Sequence, residues 1–399
     1  MKNYKLQTSE GVRDYFGEEL LIKEEIEARL KNLFQSYGYN LVKTPTFEYL
    51  DVYMSKGVQK PTLYNLINRQ GEVLALRNDM TSSIARIVAS KDSSEILPKK
   101  YCYIANTFRY PRLYQGKSHE FTQAGIELIG ISSKKADIEC IKLAFQALNV
   151  ISINKFTIHI GSSLFINSLL NDFGISSDDI NQILTIIANK DFVLLKEYLL
   201  NINLSKDKID LLLNLMRNAG KLNFLQGIID KLSGLSSAKI LEDLKGLYSE
   251  LLKLGLVNRV VFDFSISSYV NYYTGVTFQV FADGIGRAVV SGGRCDNLLK
   301  TFGRDLPMIG FGLDVDAALD YIVSSKLIEV KKTRYISFTD EASHEVGLKN
   351  NESLRASGII VEVSMFDTLE DTLKYAKAVH AKKVIAYKNN KLEEIEVGE

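Results

Sequence analysis

The feature that most constrains the fold is residues 107–130, TFRYPRLYQGKSHEFTQAGIELIG. Phe108 and Tyr110 on one side, and residues 122–129 on the other, alternate as strands do. The basic, glycine-containing residues 112–117 between them read as a turn, so the stretch predicts a β-hairpin. In its second strand Gln123 and Glu127 are four apart and share a face. If that face is covered, both groups need polar partners. A small cationic ligand would supply them; a solvated sheet face is the alternative that the stretch leaves open.

A chain of 399 residues exceeds one small core and predicts two or three domains. Its 49 basic and 48 acidic residues give a net charge of +1, which argues against electrostatically driven nucleic-acid binding. Cys102, Cys140 and Cys295 are far apart and form no CxxC, and His119, His159, His344 and His380 lack metal-ligand spacing. We therefore expect a reducing compartment, no structural metal and no cofactor. No apolar leader and no long apolar span stand out, which predicts a soluble, cytoplasmic protein without a membrane partner.

Residues 18–37 carry a stripe of Leu21, Ile22, Ile26, Leu30, Leu33 and Phe34 at helical spacing, stopped by Gly38. Residues 39–45 then read as a strand closed by Pro45, which places it at an edge or an interface. In residues 71–86 the strand 73–76 runs into a helix; Asp79 or Thr81 either caps that helix or points into a pocket at the strand end. Residues 162–255 are rich in leucine and isoleucine, with amphipathic helices over 178–188, 191–200, 206–216 and 238–252 and no fixed repeat. Strands return at 260–264, 272–281 and 288–294, where Gly292 and Gly293 imply a close approach to a neighbouring strand or a ligand. A glycine-rich strand, 309–313, leads into a helix over 315–323. The remainder reads as strands 334–338, 359–363 and 383–387 separated by helices 344–356 and 368–381, with no basic signature for RNA. Its acidic tail, LEEIE, reads as a solvated edge.

Several of these segments, in order over about residues 11–323, resemble the class II aminoacyl-tRNA synthetases, specifically the histidyl form. Residues 108–127 are similar to motif 2, and Pro45 to the motif 1 proline at a dimer interface. LRNDMT (76–81) resembles LRPEGT, NYYTG (271–275) the DYY strand, SGGRCD (291–296) GGRYD, and GFGLD (310–314) motif 3. The resemblance implies an α+β/α/β chain. Its core, residues 1–161 and 256–326, would be a synthetase-like antiparallel sheet flanked by helices. A helical insertion would span 162–255 and a small C-terminal α/β domain 331–399. It further implies a histidine pocket in which Asp79, Thr81 and Gln123 bind the α-amino group, Glu127 and Tyr273 the imidazole, and Tyr272 supports the wall. Arg109 and Lys117 become candidate anion contacts.

The departures concern the chemistry. Ser268 stands where the family has the arginine that holds the carboxylate and the reacting phosphate, Ala317 where motif 3 has its arginine, and Pro111 where motif 2 has the glutamate that meets adenine. Each fixed guanidinium lost from a phosphoryl transition state costs roughly 3 kcal/mol or more. A synthetase-like body with a histidine pocket but without these groups resembles the regulatory subunit of short-form ATP phosphoribosyltransferase. That resemblance implies no catalytic residue in this chain and a hetero-oligomer with the short catalytic subunit. It also implies a homodimer through the core, and histidine as the feedback effector of the first step of histidine biosynthesis. An active histidyl-tRNA synthetase or related ligase, and a tRNA-binding or kinase-regulating module, are the rival readings.

Overall fold

The computed structural model describes residues 4–54, 63–92, 94–110, 118–256, 259–268, 273–328, 334–389 and 391–397, with the side chains of 267 and 268 excepted. The chain divides into two compact units, Met1–Ile328 and Glu329–Glu399.

In the first unit, α1 (Gly17–Ser36) buries Ile22, Ile26, Leu30 and Phe34, one face of its apolar stripe. The edge strand β1 (Asn40–Leu41) is followed by β2 (Phe47–Tyr49), a short α2 (Asp51–Met54), β3 (Asn65–Ile67) and β4 (Val73–Leu76). Strands β2, β4 and β3 form a small antiparallel sheet. Next come α3 (Thr81–Ser90) and the hairpin of β5 (Lys99–Phe108) and β6 (Glu120–Ile129). The strand ends at Phe108 and does not include Tyr110; the expected turn, with Pro111 and Lys117, lies outside the described residues. Helix α4 (Lys134–Val150) and β7 (Phe156–Ser162) close this half.

Helices then follow in succession: α5 (Ser163–Asp172), α6 (Ser177–Ala188), α7 (Phe192–Asn201), α8 (Lys206–Arg217), α9 (Leu222–Lys231) and α10 (Ser236–Lys253). The sequence reading omitted α5 and α9. Both are short, and α5 starts directly from the end of β7, where the Ser162 hydroxyl caps it by accepting from the Phe165 N–H; a strand and a helix without an intervening turn share one apolar run. Strand β8 (Val260–Phe262) stops two residues earlier than expected, giving way to a 3-10 turn. After it come β9 (Val276–Ala282), β10 (Val290–Arg294), β11 (Met308–Asp314) and α11 (Val315–Ser324).

The main sheet runs β1-β5-β6-β11-β10-β9-β7-β8 among the described residues. Its two outer pairs, β1–β5 and β7–β8, are parallel and the pairs between them antiparallel. The decisive pairing is β6 with β11: it brings the hairpin against the strand that starts almost two hundred residues later, Glu127 opposite Gly310 and Gly125 opposite Gly312. Strict alternation assigns Ala124, Ile126 and Leu128 to one face of β6 and Gln123, Gly125 and Glu127 to the other. The apolar face, with Phe311, is covered by helices; Phe34 of α1 meets Phe311 edge-on at 5.9 Å. The other face is covered only in part, by Met80 and Ile84 of the α3 region packed with Tyr103, Ile129 and Met308.

The second unit comprises β12 (Arg334–Thr339), α12 (His344–Ala356), β13 (Ile360–Val363), α13 (Leu369–Ala378), β14 (Lys383–Lys388) and β15 (Lys391–Glu396). Its order is β13-β12-β14-β15, parallel except for β15. The acidic tail forms the exposed edge strand β15.

Candidate functional site

The partly covered face of the main sheet carries a cleft of about 310 Å³. Asp79, Thr81, Arg109, Gln123, Glu127 and Tyr273 all line it. Tyr272 and Lys117 lie outside the described residues. The floor is made by strand register: Glu127, Gly310, Gly293 and Thr277 form one row across β6, β11, β10 and β9, and Gly125, Gly312, Ser291 and Gln279 form the row above it.

The glycines are there because long side chains lie across them. A Cβ on Gly310 would stand 2.0 Å from Glu127 Oε2, and one on Gly312 would stand 2.1 Å from Gln123 Nε2. On Gly293 it would meet the Tyr273 ring at 2.9 Å, and on Gly125 the Tyr103 hydroxyl at 2.5 Å. Each is far inside van der Waals contact, so any side chain would displace the polar group presented to the cleft. The Gly-Phe-Gly of β11 therefore sets where Glu127 and Gln123 reside.

Glu127 is 2% exposed, a carboxylate at the bottom of the cleft. The fully buried Tyr103 hydroxyl donates to Gln123 Oε1 at 3.4 Å, a long bond that orients the amide. Burial, then the charges of Glu127 and Asp79, push the Tyr103 phenol well above its ordinary pKa, so it stays a donor. On the opposite wall Thr81 is the first residue of α3, and no side chain caps that helix at Met80. Asp79 Oδ1 accepts from the Ser82 N–H only at 3.4 Å. The capping alternative is thus weak, and both residues face the cleft. The loop that carries them is fixed from behind by Arg77, whose Nε donates to the Asn106 carbonyl at 2.6 Å and whose Nη1 donates to the Thr44 carbonyl at 3.0 Å.

Arg109 lies at the mouth. Its Nε donates to the Asn78 carbonyl at 2.9 Å and its guanidinium covers the Phe121 ring at 4.9 Å. Arg294, the arginine beside the Gly-Gly pair, is elsewhere: it is 6% exposed and gives Asp137 two hydrogen bonds of 2.9 and 2.5 Å, with the Ile131 carbonyl and Asp296 at 3.1 Å. Gly292 and Gly293 accordingly make room for Phe278, the β11 backbone and the Tyr273 ring. At the start of α11, Ala317 is buried, and Asp314 caps the helix by accepting the Ala317 N–H at 2.9 Å.

Sequence reasoning missed Asn78, Tyr103, Thr277, Gln279, Ser291 and Cys295 as lining residues. The register of β5, β9 and β10 against their neighbours places Tyr103, Thr277, Gln279 and Ser291 there, while Asn78 comes from the loop ahead of α3 and Cys295 directly follows β10. Among the described residues no group of His, Cys, Asp and Glu could hold a metal ion, and no helix is long and apolar enough to cross a membrane.

Known proteins share the sequence pattern and the fold. A family model for histidyl-tRNA synthetase matches residues 11–318. An ATP phosphoribosyltransferase regulatory subunit from Clostridium novyi is 33% identical over 394 residues, covering 98% of this chain and 94% of the relative. Another from Clostridium acetobutylicum is 34% identical over 94% of this chain and 93% of the relative. A crystal structure described as an ATP phosphoribosyltransferase regulatory subunit/histidyl-tRNA synthetase from Bacillus halodurans C superposes with a TM-score of 0.84 at 28% identity, covering 96% of this chain and 99% of that one. A histidyl-tRNA synthetase from Nostoc sp. PCC 7120, at 19% identity and a TM-score of 0.81 over 98% and 97% of the two chains, shares the fold. The chain belongs to the ATP phosphoribosyltransferase regulatory subunit family, on a histidyl-tRNA synthetase-like fold.

Proposed function

We propose that this chain binds histidine in the cleft and, without catalysing a reaction itself, makes a short-form ATP phosphoribosyltransferase catalytic subunit active and sensitive to feedback by histidine. The observation that carries this is the convergence of Asp79, Thr81, Gln123, Glu127 and Tyr273 on one cleft while Ala317 occupies the motif 3 arginine position. Asp79, with the oxygens of Thr81 and Gln123, suits an ammonium group, and Glu127 with the Tyr273 phenol suits the two ring nitrogens of an imidazole. Ser268 and Ala317 supply no guanidinium for a phosphoryl transition state. Control by histidine requires that it bind one arrangement of the assembly more tightly than the other.

Co-purification with a short catalytic subunit, followed by assay with and without histidine, tests the reading. Activity that depends on this chain and falls with histidine is expected; activity indifferent to the chain would sink it. Arg109 remains in the cleft, which favours the rival of an active synthetase, so histidine-dependent pyrophosphate exchange is the second assay, with none expected.

The homodimer belongs to the same proposal. Phe47 and Tyr49, 53% and 55% exposed, share the face of the small sheet that carries Leu66, beside Pro45. An apolar sheet face of this kind suits a second copy. Phe47→Asp with Tyr49→Asp is expected to give monomers in sedimentation; an unchanged mass would place any dimer contact elsewhere.

A further inference from the structure

Asn78, in the loop ahead of α3, lines the cleft and is 9% exposed, and its Oδ1 is buried with no hydrogen-bond partner among the described residues. Its Nδ2 makes no hydrogen bond to a described residue either, and it is not enclosed as Oδ1 is, so the amide turns its donor end to the cleft. The backbone here is clamped. The Arg77 carbonyl accepts the Phe108 N–H at 2.8 Å, and the Asn78 carbonyl accepts Arg109 Nε at 2.9 Å. A buried amide oxygen left unbonded costs about 1–3 kcal/mol, which an apolar side chain in this place would avoid. Stability therefore does not account for the amide, whereas a ligand at its other end does.

The surroundings of Asn78 select the ligand group. With Nε on the Asn78 carbonyl and its face on Phe121, Arg109 keeps both Nη groups unpaired among the described residues. An amide N–H₂ and the free edge of a guanidinium only donate, and side by side they match the oxygens of an oxyanion. Asp79 follows directly in the chain, and in the reading proposed above it seats the α-ammonium. The ammonium and the carboxylate of an α-amino acid are bonded to one carbon, so the carboxylate comes to rest beside the ammonium's partner. That is within the span of a free amino acid.

We infer that the Asn78 carboxamide, with Arg109 beside it, holds the α-carboxylate of the ligand and makes the cleft select an amino acid over the corresponding decarboxylated amine. This rests on the proposed histidine site. Titration calorimetry of the full chain at pH 7, where both probes carry an ammonium, compares L-histidine with histamine. Histamine is expected to bind at least about tenfold more weakly, the worth of a hydrogen bond to a charged group. Asn78→Leu is expected to lower histidine affinity about tenfold and to leave histamine within about twofold. Asn78→Asp, of the same size, is expected to weaken histidine further and not histamine, because a carboxylate repels a carboxylate. A cleft merely disturbed by these substitutions loses both ligands alike; that result, or equal binding of the two by wild type, refutes the carboxylate contact while the histidine site stands. If Asn78→Asp tightens histidine, the residue accepts from the ammonium and the assignment is overturned. Inorganic phosphate is expected to leave histamine binding unchanged; phosphate that raised it to the affinity of histidine would give the place to a separate oxyanion and overturn the assignment as well. If neither probe binds, the histidine site falls and this inference with it.

Discussion

Two sets of charged groups in the first unit follow different plans. At the junction of α1, α11 and β6, Lys23 Nζ meets Asp316 Oδ1 at 2.6 Å while Asp316 Oδ2 accepts the Thr122 N–H at 3.1 Å; Arg294 is tied to Asp137 and Asp296 in the same manner. In the cleft, Glu127 of β6 lies across Gly310 of β11, and Asp79 lines the wall just ahead of α3. The first arrangement ties elements of the frame together, whereas the second lines the cleft. What separates them is which elements present the charged groups and what stands opposite.

Substitutions in the two sets should therefore separate stability from binding. Lys23→Ala leaves the Asp316 carboxylate buried without its cation, and a loss of about 3–5 kcal/mol is expected. An unfolding free energy from denaturant titration lowered by less than about 1 kcal/mol would place the pair with ordinary surface bridges. Glu127→Ala should do the reverse: stability nearly unchanged, histidine affinity down by about 1.5–3 kcal/mol, the worth of a hydrogen bond to a charged group. Unchanged affinity in calorimetry would remove Glu127 from the site. Gly310→Ala joins the two sets, because its Cβ would meet both Glu127 Oε2 at 2.0 Å and the Ile126 carbonyl at 2.4 Å. It should cost about 1–3 kcal/mol in stability and weaken histidine binding as well. Wild-type behaviour in both would mean that the floor yields to an added methyl.

The smallest expected effect is on acid stability. Burial pushes the Asp263 carboxyl up, but hydrogen bonds from His159 at 2.9 Å and from the Ser265 N–H and hydroxyl at 3.0 and 2.7 Å outweigh it and hold the pKa below the ordinary value. A depressed carboxylate contributes stability above its unfolded pKa of about 3.9, and the contribution is lost as pH falls through the folded value. Melting curves between pH 5 and the acid limb should fall more steeply for wild type than for Asp263→Asn. Parallel curves would show that His159 does not hold the group.

Much of this was legible along the chain. Alternation assigned Gln123 and Glu127 to one face, apolar spacing gave α1, α6, α8, α10 and α12, and Pro45 marked an edge next to β1. Less legible was anything that depended on a neighbour distant in sequence. Arg294, beside two glycines, resembles a ligand-binding group, yet Asp137 on α4 makes it structural. Gly310 and Gly312 were visible as glycines, but not as the space in which Glu127 and Gln123 lie. Tyr103 and Gln279 gave no local signal at all, and Ser291 only its place in SGGRCD.

By itself the sequence determined many of the elements, the face on which Gln123 and Glu127 lie and the order of the polar motifs, because periodicity and turn chemistry act over a few neighbouring residues. Only the tertiary structure decided that β6 lies against β11 and β11 against β10. Hydrogen-bonded register between strands nearly two hundred residues apart is set by the packing of whole faces, and that register turns separate glycines, amides and carboxylates into one cleft.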